Sequence, residues 1–172
     1  MNRLLRILLV TLFAFMVLVV TLFGLYITLN RQYVIGDSEY GSGTSEASIL
    51  IASQGSKFKG VLVNKVIRHF KNDSTYIFVT DCTRLAEIES QKWDAIVIIH
   101  ATQVHGMPGS AEKFLKRLDD ISKVIIVSTS GSGDEMYEGL GCDAVSSASR
   151  LSKLEEVFQW CTPRIERLLA SK

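Results

Sequence analysis

The chain has 172 residues, which is enough for one domain of ordinary size and too few for two. Its 19 basic and 18 acidic side chains nearly cancel, which argues against a nucleic-acid-binding protein, because such proteins concentrate positive charge. Three cysteines, Cys82, Cys142 and Cys161, form no C-x-x-C pair, so neither a disulfide framework nor a metal site is expected.

The first predicted element is a transmembrane helix. The run from Ile7 to Leu29 carries no charge. At ~1.5 Å rise per residue it would span roughly 34 Å, enough to cross a ~30 Å hydrocarbon layer. A cleaved signal peptide would have a shorter apolar core, usually ending at small residues. We therefore predict that residues 1–30 form a single-pass membrane anchor.

The charges that flank this span predict its orientation. Arg3 and Arg6 precede the apolar run, whereas only Arg31 lies close behind it. Cytoplasmic flanks carry the excess of positive charge, so the pattern favours a cytoplasmic N-terminus. The rest of the chain is then expected on the other side of the membrane.

The segment after the span has the composition of a linker. Residues 31–47, "RQYVIGDSEYGSGTSEA", are rich in glycine, serine and acidic residues and have no sustained periodicity. We predict a flexible linker here and one folded domain over residues 48–172.

Short apolar runs alternate with helical patterns along the predicted domain. Apolar spacing predicts helices around residues 63–70, 114–118 and 154–169, with Pro163 expected to kink or interrupt the last, and "CTRLAEIES" reads as a shorter helix. The predicted strands are rich in β-branched residues and lack alternation, as strands buried on both faces do, and they cover residues 48–53, 75–80, 95–101, 123–130 and 143–148.

This alternation of strand and helix predicts the fold class. Parallel strands joined by right-handed crossovers give a three-layer α/β sandwich with about five strands. In such sheets, ligands bind beyond the carboxyl ends of the strands. Three loops are expected to meet there: "SQGSKFKG" after the first strand, "TQVHGMPGS" after the third and "TSGSGDEMYEG" after the fourth.

The sequence of these strands and loops resembles the flavodoxin-like domains that bind FMN. The resemblance covers nearly all of residues 48–172 and rests on "ILIASQGSKFKG", "KWDAIVIIHATQVHGMPGSAEKFLKRL" and "KVIIVSTSGSGD". It implies strand order 2-1-3-4-5, FMN at the tip of the sheet and electron transfer by the flavin. The residues in register with the family in the middle stretch are Trp93, Asp94, Ile96, Val97, Ile98, Ala101, Val104, Gly106, Phe114, Leu115 and Arg117.

The opening loop departs from the family's phosphate-binding loop. The resemblance assigns the FMN phosphate to this loop, where Ser53, Gly55, Ser56, Lys57 and Phe58 are the candidate residues. A lysine, Lys59, stands at the family's glycine position, and the closing threonine of the family is absent. Two readings stay open: an altered phosphate cradle, or a structural turn with two solvated lysines.

The second and third loops are the expected flavin-binding part of the site. His100 would crowd the pocket if it turned inward, and the alternative is a strand-end histidine bonded to local backbone. Gly131 and Gly133 allow positive φ and close approach, and Tyr137 offers a ring to cover the flavin. The remaining candidates of these loops are Thr102, Val104, His105, Gly106, Thr129, Ser130 and Ser132.

Two functions remain after other chemistries of this fold are weighed. A phosphoacceptor receiver would need acidic residues where Ser53 and His100 stand, and Ser132 has no suitable acid and base after it for a serine hydrolase. The first hypothesis is a membrane-anchored FMN-dependent oxidoreductase or electron-transfer protein that exchanges electrons with a quinone or a membrane redox protein. The second is a flavodoxin-like domain that has lost FMN and acts as a membrane-tethered binding or scaffold module.

Overall fold

The computed structural model describes residues 2–29, 32–42, 45–102, 106–135 and 141–171. The chain forms two compact units, Met1–Gln32 and Tyr33–Lys172.

The first unit is one long apolar helix, α1 (Arg3–Leu29). Its membrane-length window, Arg3–Thr28, has a mean hydropathy of 2.8. The large apolar side chains of α1 are exposed, as the lipid-facing side chains of a membrane span would be. Its length and composition fit a membrane anchor, and they also fit a signal sequence, because the helix lies near the N-terminus.

The second unit is an α/β fold built on a mixed sheet of six strands in the order β1-β3-β2-β4-β5-β6. Neighbouring strands among β2 to β6 pair in parallel, and β1 pairs antiparallel with β3 at the edge. The sheet therefore differs from the predicted five-stranded parallel sheet by one short antiparallel strand. The strands are β1 (Ser38–Tyr40), β2 (Ala47–Ser53), β3 (Thr75–Asp81), β4 (Ala95–Ala101), β5 (Val124–Ser130) and β6 (Asp143–Ala148).

Helices cover both faces of the sheet. Helices α2 (Lys57–Phe70) and α4 (Leu154–Ala170) bury their apolar stripes in one cluster, which includes Val66 and Ile165. Helix α3 (Gly109–Lys116) packs into a second cluster on the opposite face. These two clusters form the core, because the strands between them are apolar on both faces.

Two helix predictions differ from the structure in detail. The stretch "CTRLAEIES" forms a 3₁₀ segment, Cys82–Glu87, and further 3₁₀ turns occur at Ser90–Lys92 and Leu151–Lys153. Pro163 lies inside α4 and does not interrupt it. Burial of residues on both sides of the proline holds the helix together where one backbone hydrogen bond is lost.

The segment expected to be a flexible linker is partly ordered on the domain. It contains β1, and residues 33–37, which we call the strap, lie on the loop after β2 and on the end of β3. Its composition predicted flexibility, but pairing with the edge of the sheet supplies the hydrogen bonds that its own propensity does not.

Candidate ligand site at the carboxyl edge of the sheet

The loops predicted to meet do start from one edge of the sheet. In the strand register, Ser53 lies opposite Ile99, and Ala101 lies opposite Thr129. Gln54, the first residue after β2, binds the end of β4 twice. Its backbone N–H donates to the Ile99 carbonyl at 3.0 Å, and its side-chain oxygen accepts from the Ala101 N–H at 2.7 Å. The start of the first loop is therefore fixed to the end of β4.

The opening loop leads directly into α2. Ser56 is the N-cap of this helix, and its hydroxyl accepts from the Lys59 N–H at 3.3 Å. Within the described residues, no acceptor bonds the N–H groups of Lys57 and Phe58. The Lys57 side chain is exposed, whereas the Phe58 ring is buried in the core. The loop thus offers free backbone donors at a helix start, a feature that favours anions.

The strap lies against this loop at Gly55. The Gly55 N–H donates to the Tyr33 carbonyl at 2.8 Å, and the Tyr33 N–H donates to the Gly55 carbonyl at 3.1 Å. A Cβ at Gly55 would overlap both the carbonyl and the ring of Tyr33. Position 55 must therefore be glycine for the strap to lie where it does, and one amide of the predicted phosphate loop is already bonded.

Two carboxylates hold the strap in place. Asp81, which is buried at the end of β3, accepts from the Ile35 N–H at 3.0 Å. Asp37 accepts from the Thr80 hydroxyl at 2.7 Å and forms an ion pair with Arg84. Hydrogen bonds to charged groups contribute about 1.5–3 kcal/mol each, so the strap is a bound part of the domain.

Lys59 is almost completely buried, with a relative exposure of 1%. It is therefore not one of two solvated lysines. Burial lowers the pKa of Lys59 to about 8, and the interaction with Cys82 acts in the other direction. No carboxylate or other hydrogen-bond partner of its ammonium group occurs among the described residues. The Cys82 thiol is buried as well, and burial raises its pKa to about 12, so it stays protonated and neutral.

His100 is buried and bonded through both ring nitrogens. Nδ1 lies 3.1 Å from the Ala101 carbonyl oxygen, and Nε2 lies 3.0 Å from the Ser128 hydroxyl. A carbonyl only accepts, so Nδ1 carries the proton and Nε2 accepts from Ser128. Burial lowers the pKa of His100 and keeps the ring neutral. The histidine is bonded to its own backbone, and neither nitrogen is left for a ligand.

The third loop is constrained at one glycine. Gly133 has φ +90°, its N–H donates to the Ser130 hydroxyl at 2.8 Å, and a Cβ there would overlap the Ala148 nitrogen. The expectation of positive φ is thus confirmed for Gly133. Gly131 does not have a positive φ, and no atom of the described residues lies within 4 Å of its Cβ position. Ser132 is exposed, and its hydroxyl accepts from the Asp134 N–H at 3.5 Å.

The other predicted site residues differ in whether their polar groups are already hydrogen-bonded. The hydroxyls of Ser53 and Thr129 donate to backbone carbonyls within the sheet edge, to Gln54 and His100 respectively. The Thr102 hydroxyl is buried and finds no hydrogen-bond partner among the described residues. Gly106 has φ +93°. Three predicted residues lie outside the described part of the chain: Val104, His105 and Tyr137.

The opening loop does not fit the phosphate of FMN in the manner that the resemblance implies. A phosphate cradle needs several directed N–H and hydroxyl donors around one point. Here the strap bonds the Gly55 amide and covers the loop, and a buried lysine occupies the position of a small glycine. The hydroxyls of Ser56 and Ser130 already accept from backbone amides.

Comparisons with protein-family models, with curated proteins and with solved structures found no match to this chain. The described residues contain no group of three or more histidine, cysteine, aspartate or glutamate side chains placed to hold a metal ion.

Proposed function

We propose that this protein is a membrane-anchored binding module, in which an α/β domain of flavodoxin-like topology carries a ligand site at the carboxyl edge of its sheet without FMN. The observation that supports this proposal most strongly is the pairing of Tyr33 with Gly55. It covers the loop that would hold the FMN phosphate and bonds one of the loop's amides.

The position of the strap in the chain supports a tethered module. The strap begins four residues after the end of α1 and is held by Asp81 and by the Asp37–Arg84 ion pair. Residues 33–37 are therefore part of the α/β unit, and Tyr33 pairs with the loop after β2.

FMN-dependent electron transfer with a quinone or a membrane redox protein is the second candidate. The free N–H groups of Lys57 and Phe58 favour it, because they are donors at a helix N-terminus that could meet a phosphate. FMN binding would require the strap to move away from Gly55.

An FMN titration of the full-length chain separates the two candidates. The protein is taken from carbonate-washed membranes, solubilised in detergent and titrated while flavin fluorescence is followed. We expect the chain to stay with the membrane and to leave micromolar FMN unquenched, as it leaves riboflavin, the control without phosphate. Tight quenching of FMN but not of riboflavin would contradict the proposed binding module and favour the flavoprotein. Loss of the chain from the washed membranes would contradict the proposed membrane anchor.

A further inference from the structure

A cavity of about 390 Å³ lies near the amino ends of β2 and β3, at the other end of the strands from the carboxyl edge. Its volume is within the range of ~300–1,000 Å³ that is typical of small-molecule sites. Three aromatic side chains line it, Tyr76, Phe78 and Trp93, together with polar side chains from β1, from β2 and from the segments before β2 and β4. We call it the aromatic cavity.

The three rings of the aromatic cavity share nearly one orientation. Tyr76 and Phe78 alternate with the buried Ile77 along β3, so both lie on the same face of the sheet, where they are only partly buried. The Trp93 ring lies 5.8 Å from the Tyr76 ring and 5.9 Å from the Phe78 ring, centroid to centroid. The interplanar angles are 15° and 14°. The rings therefore offer similarly oriented faces for a flat ligand to stack on.

The segment that carries Trp93 is fixed to the sheet. The Ser48 N–H donates to the Asp94 carboxylate at 2.7 Å, and the Asp94 N–H donates to the Ser48 carbonyl at 3.0 Å. The Lys123 ammonium donates to the Trp93 carbonyl at 3.2 Å. A wall that is held in place before a ligand arrives reduces the entropy cost of binding, because less of the site has to be ordered.

Two polar side chains of the cavity have bonding capacity left for a ligand. The Ser45 hydroxyl is buried and has no hydrogen-bond partner among the described residues, which is rare in folded proteins. Burial and the Glu39 carboxylate, which accepts from the Tyr76 hydroxyl, raise the pKa of Tyr76. A carboxylate has about four acceptor positions, so Glu39 can accept further hydrogen bonds. The Lys92 ammonium, by contrast, is paired with Glu89 at 2.8 Å. These groups favour a ligand rich in hydroxyls over an anion.

From the parallel rings and the unpartnered hydroxyl we infer that the aromatic cavity binds a neutral sugar in its pyranose form. The face of an aromatic ring carries negative charge density, and the C–H groups on one face of a pyranose carry the partial positive charge that complements it. A sugar hydroxyl both donates and accepts, so it can pair with Glu39 and with Ser45 whichever way the Ser45 hydroxyl points. This site goes beyond the proposed function and does not depend on the carboxyl edge.

The test uses the full-length chain in a detergent without a sugar headgroup. The chain has two tryptophans, Trp93 and Trp160, and both lie in the α/β unit. Trp160→Phe leaves Trp93 as the only tryptophan, so its fluorescence reports on the cavity. The probes are glucose, galactose, mannose and N-acetylglucosamine. Sorbitol, which has hydroxyls but no ring face, and adenosine, which has a planar base, are the controls. We expect a saturable change with at least one pyranose at about millimolar Kd and none with sorbitol or adenosine.

Two conservative variants test the polar groups. Ser45→Ala should weaken binding of the effective sugar about 2- to 10-fold, because one hydrogen bond is lost, and Glu39→Gln should weaken it at least as much. Ser152→Ala and Glu156→Gln replace exposed side chains of another part of the unit and should bind like the parent protein. Because Ser45→Ala removes an unpartnered hydroxyl, it should not lower the unfolding midpoint of the ligand-free protein.

Saturation-transfer NMR on the same samples does not depend on the emission of Trp93. When the aromatic protons of the protein are irradiated, the ring C–H protons of the bound sugar should receive more saturation than its exocyclic CH₂ protons. Absence of a signal from every pyranose in both measurements would overturn the inference. So would equal responses to glucose and sorbitol, a response to adenosine alone, or binding that neither Ser45→Ala nor Glu39→Gln weakens.

Discussion

Replacing Lys59 with methionine is expected to stabilise the α/β unit by about 2 kcal/mol at pH 7. Methionine keeps the length of the side chain and removes the charge that burial penalises. The folded-state pKa of about 8 lies below that of the unfolded chain, so at pH 7 the folded protein holds an unfavourable buried charge. Chemical unfolding followed by tryptophan fluorescence measures the difference.

The stability difference between Lys59→Met and wild type should depend on pH. Between pH 8 and about 10.5 the unfolded chain holds more protons at position 59 than the folded chain does, so this lysine makes wild-type stability rise with pH. The advantage of Lys59→Met should therefore be constant below pH 8 and shrink above it. The exposed Lys57→Met is the matched control and should show neither effect. A destabilised Lys59→Met protein at pH 7 would mean that the ammonium is paired in the folded state.

Gly133→Ala is expected to destabilise the α/β unit by about 2–4 kcal/mol, whereas Gly131→Ala should change its stability by less than about 0.5 kcal/mol. Gly133 combines φ +90° with a Cβ position that overlaps the backbone nitrogen of Ala148, and backbone in β6 cannot move aside as a flexible side chain could. Gly131 has neither constraint.

The two glycine variants are matched by loop and by chemistry, since only two positions separate them. The measurement is the unfolding midpoint of each full-length variant, followed by tryptophan fluorescence. Similar losses in both variants would show that the whole third loop is sensitive to added bulk, and no loss in Gly133→Ala would contradict the described backbone at that position.

The parallel part of the sheet could be predicted from the sequence because its central strands, β2, β4 and β5, are largely buried and form unbroken apolar runs. The unbroken run "AIVIIHA" coincides with β4, and the other four predicted strands agree with β2, β3, β5 and β6 to within a residue at each end. Strand β1 could not be found in this way. It has only three residues, of which Ser38 and Glu39 have little strand preference, and pairing with β3 fixes them.

The sequence predicted only part of the candidate site. Helical spacing in the sequence could have predicted the burial of Lys59. It stands four and seven positions before Val63 and Val66, which places it on the same, buried face of the helix. The strap had no such signal, because its contact with Gly55 joins segments that the sequence alone does not bring together. Positive φ at Gly133 but not at Gly131 likewise depends on where β6 passes the loop.

Hydrogen exchange at the Gly55 amide tests most directly whether the strap closes the opening loop. In the full-length protein in detergent, NMR should find this amide protected, because it donates to the Tyr33 carbonyl, and millimolar FMN should leave its exchange rate and chemical shift unchanged. Rapid exchange in the free protein, or a shift of the Gly55 signal when FMN is added, would contradict the account and open the loop to phosphate.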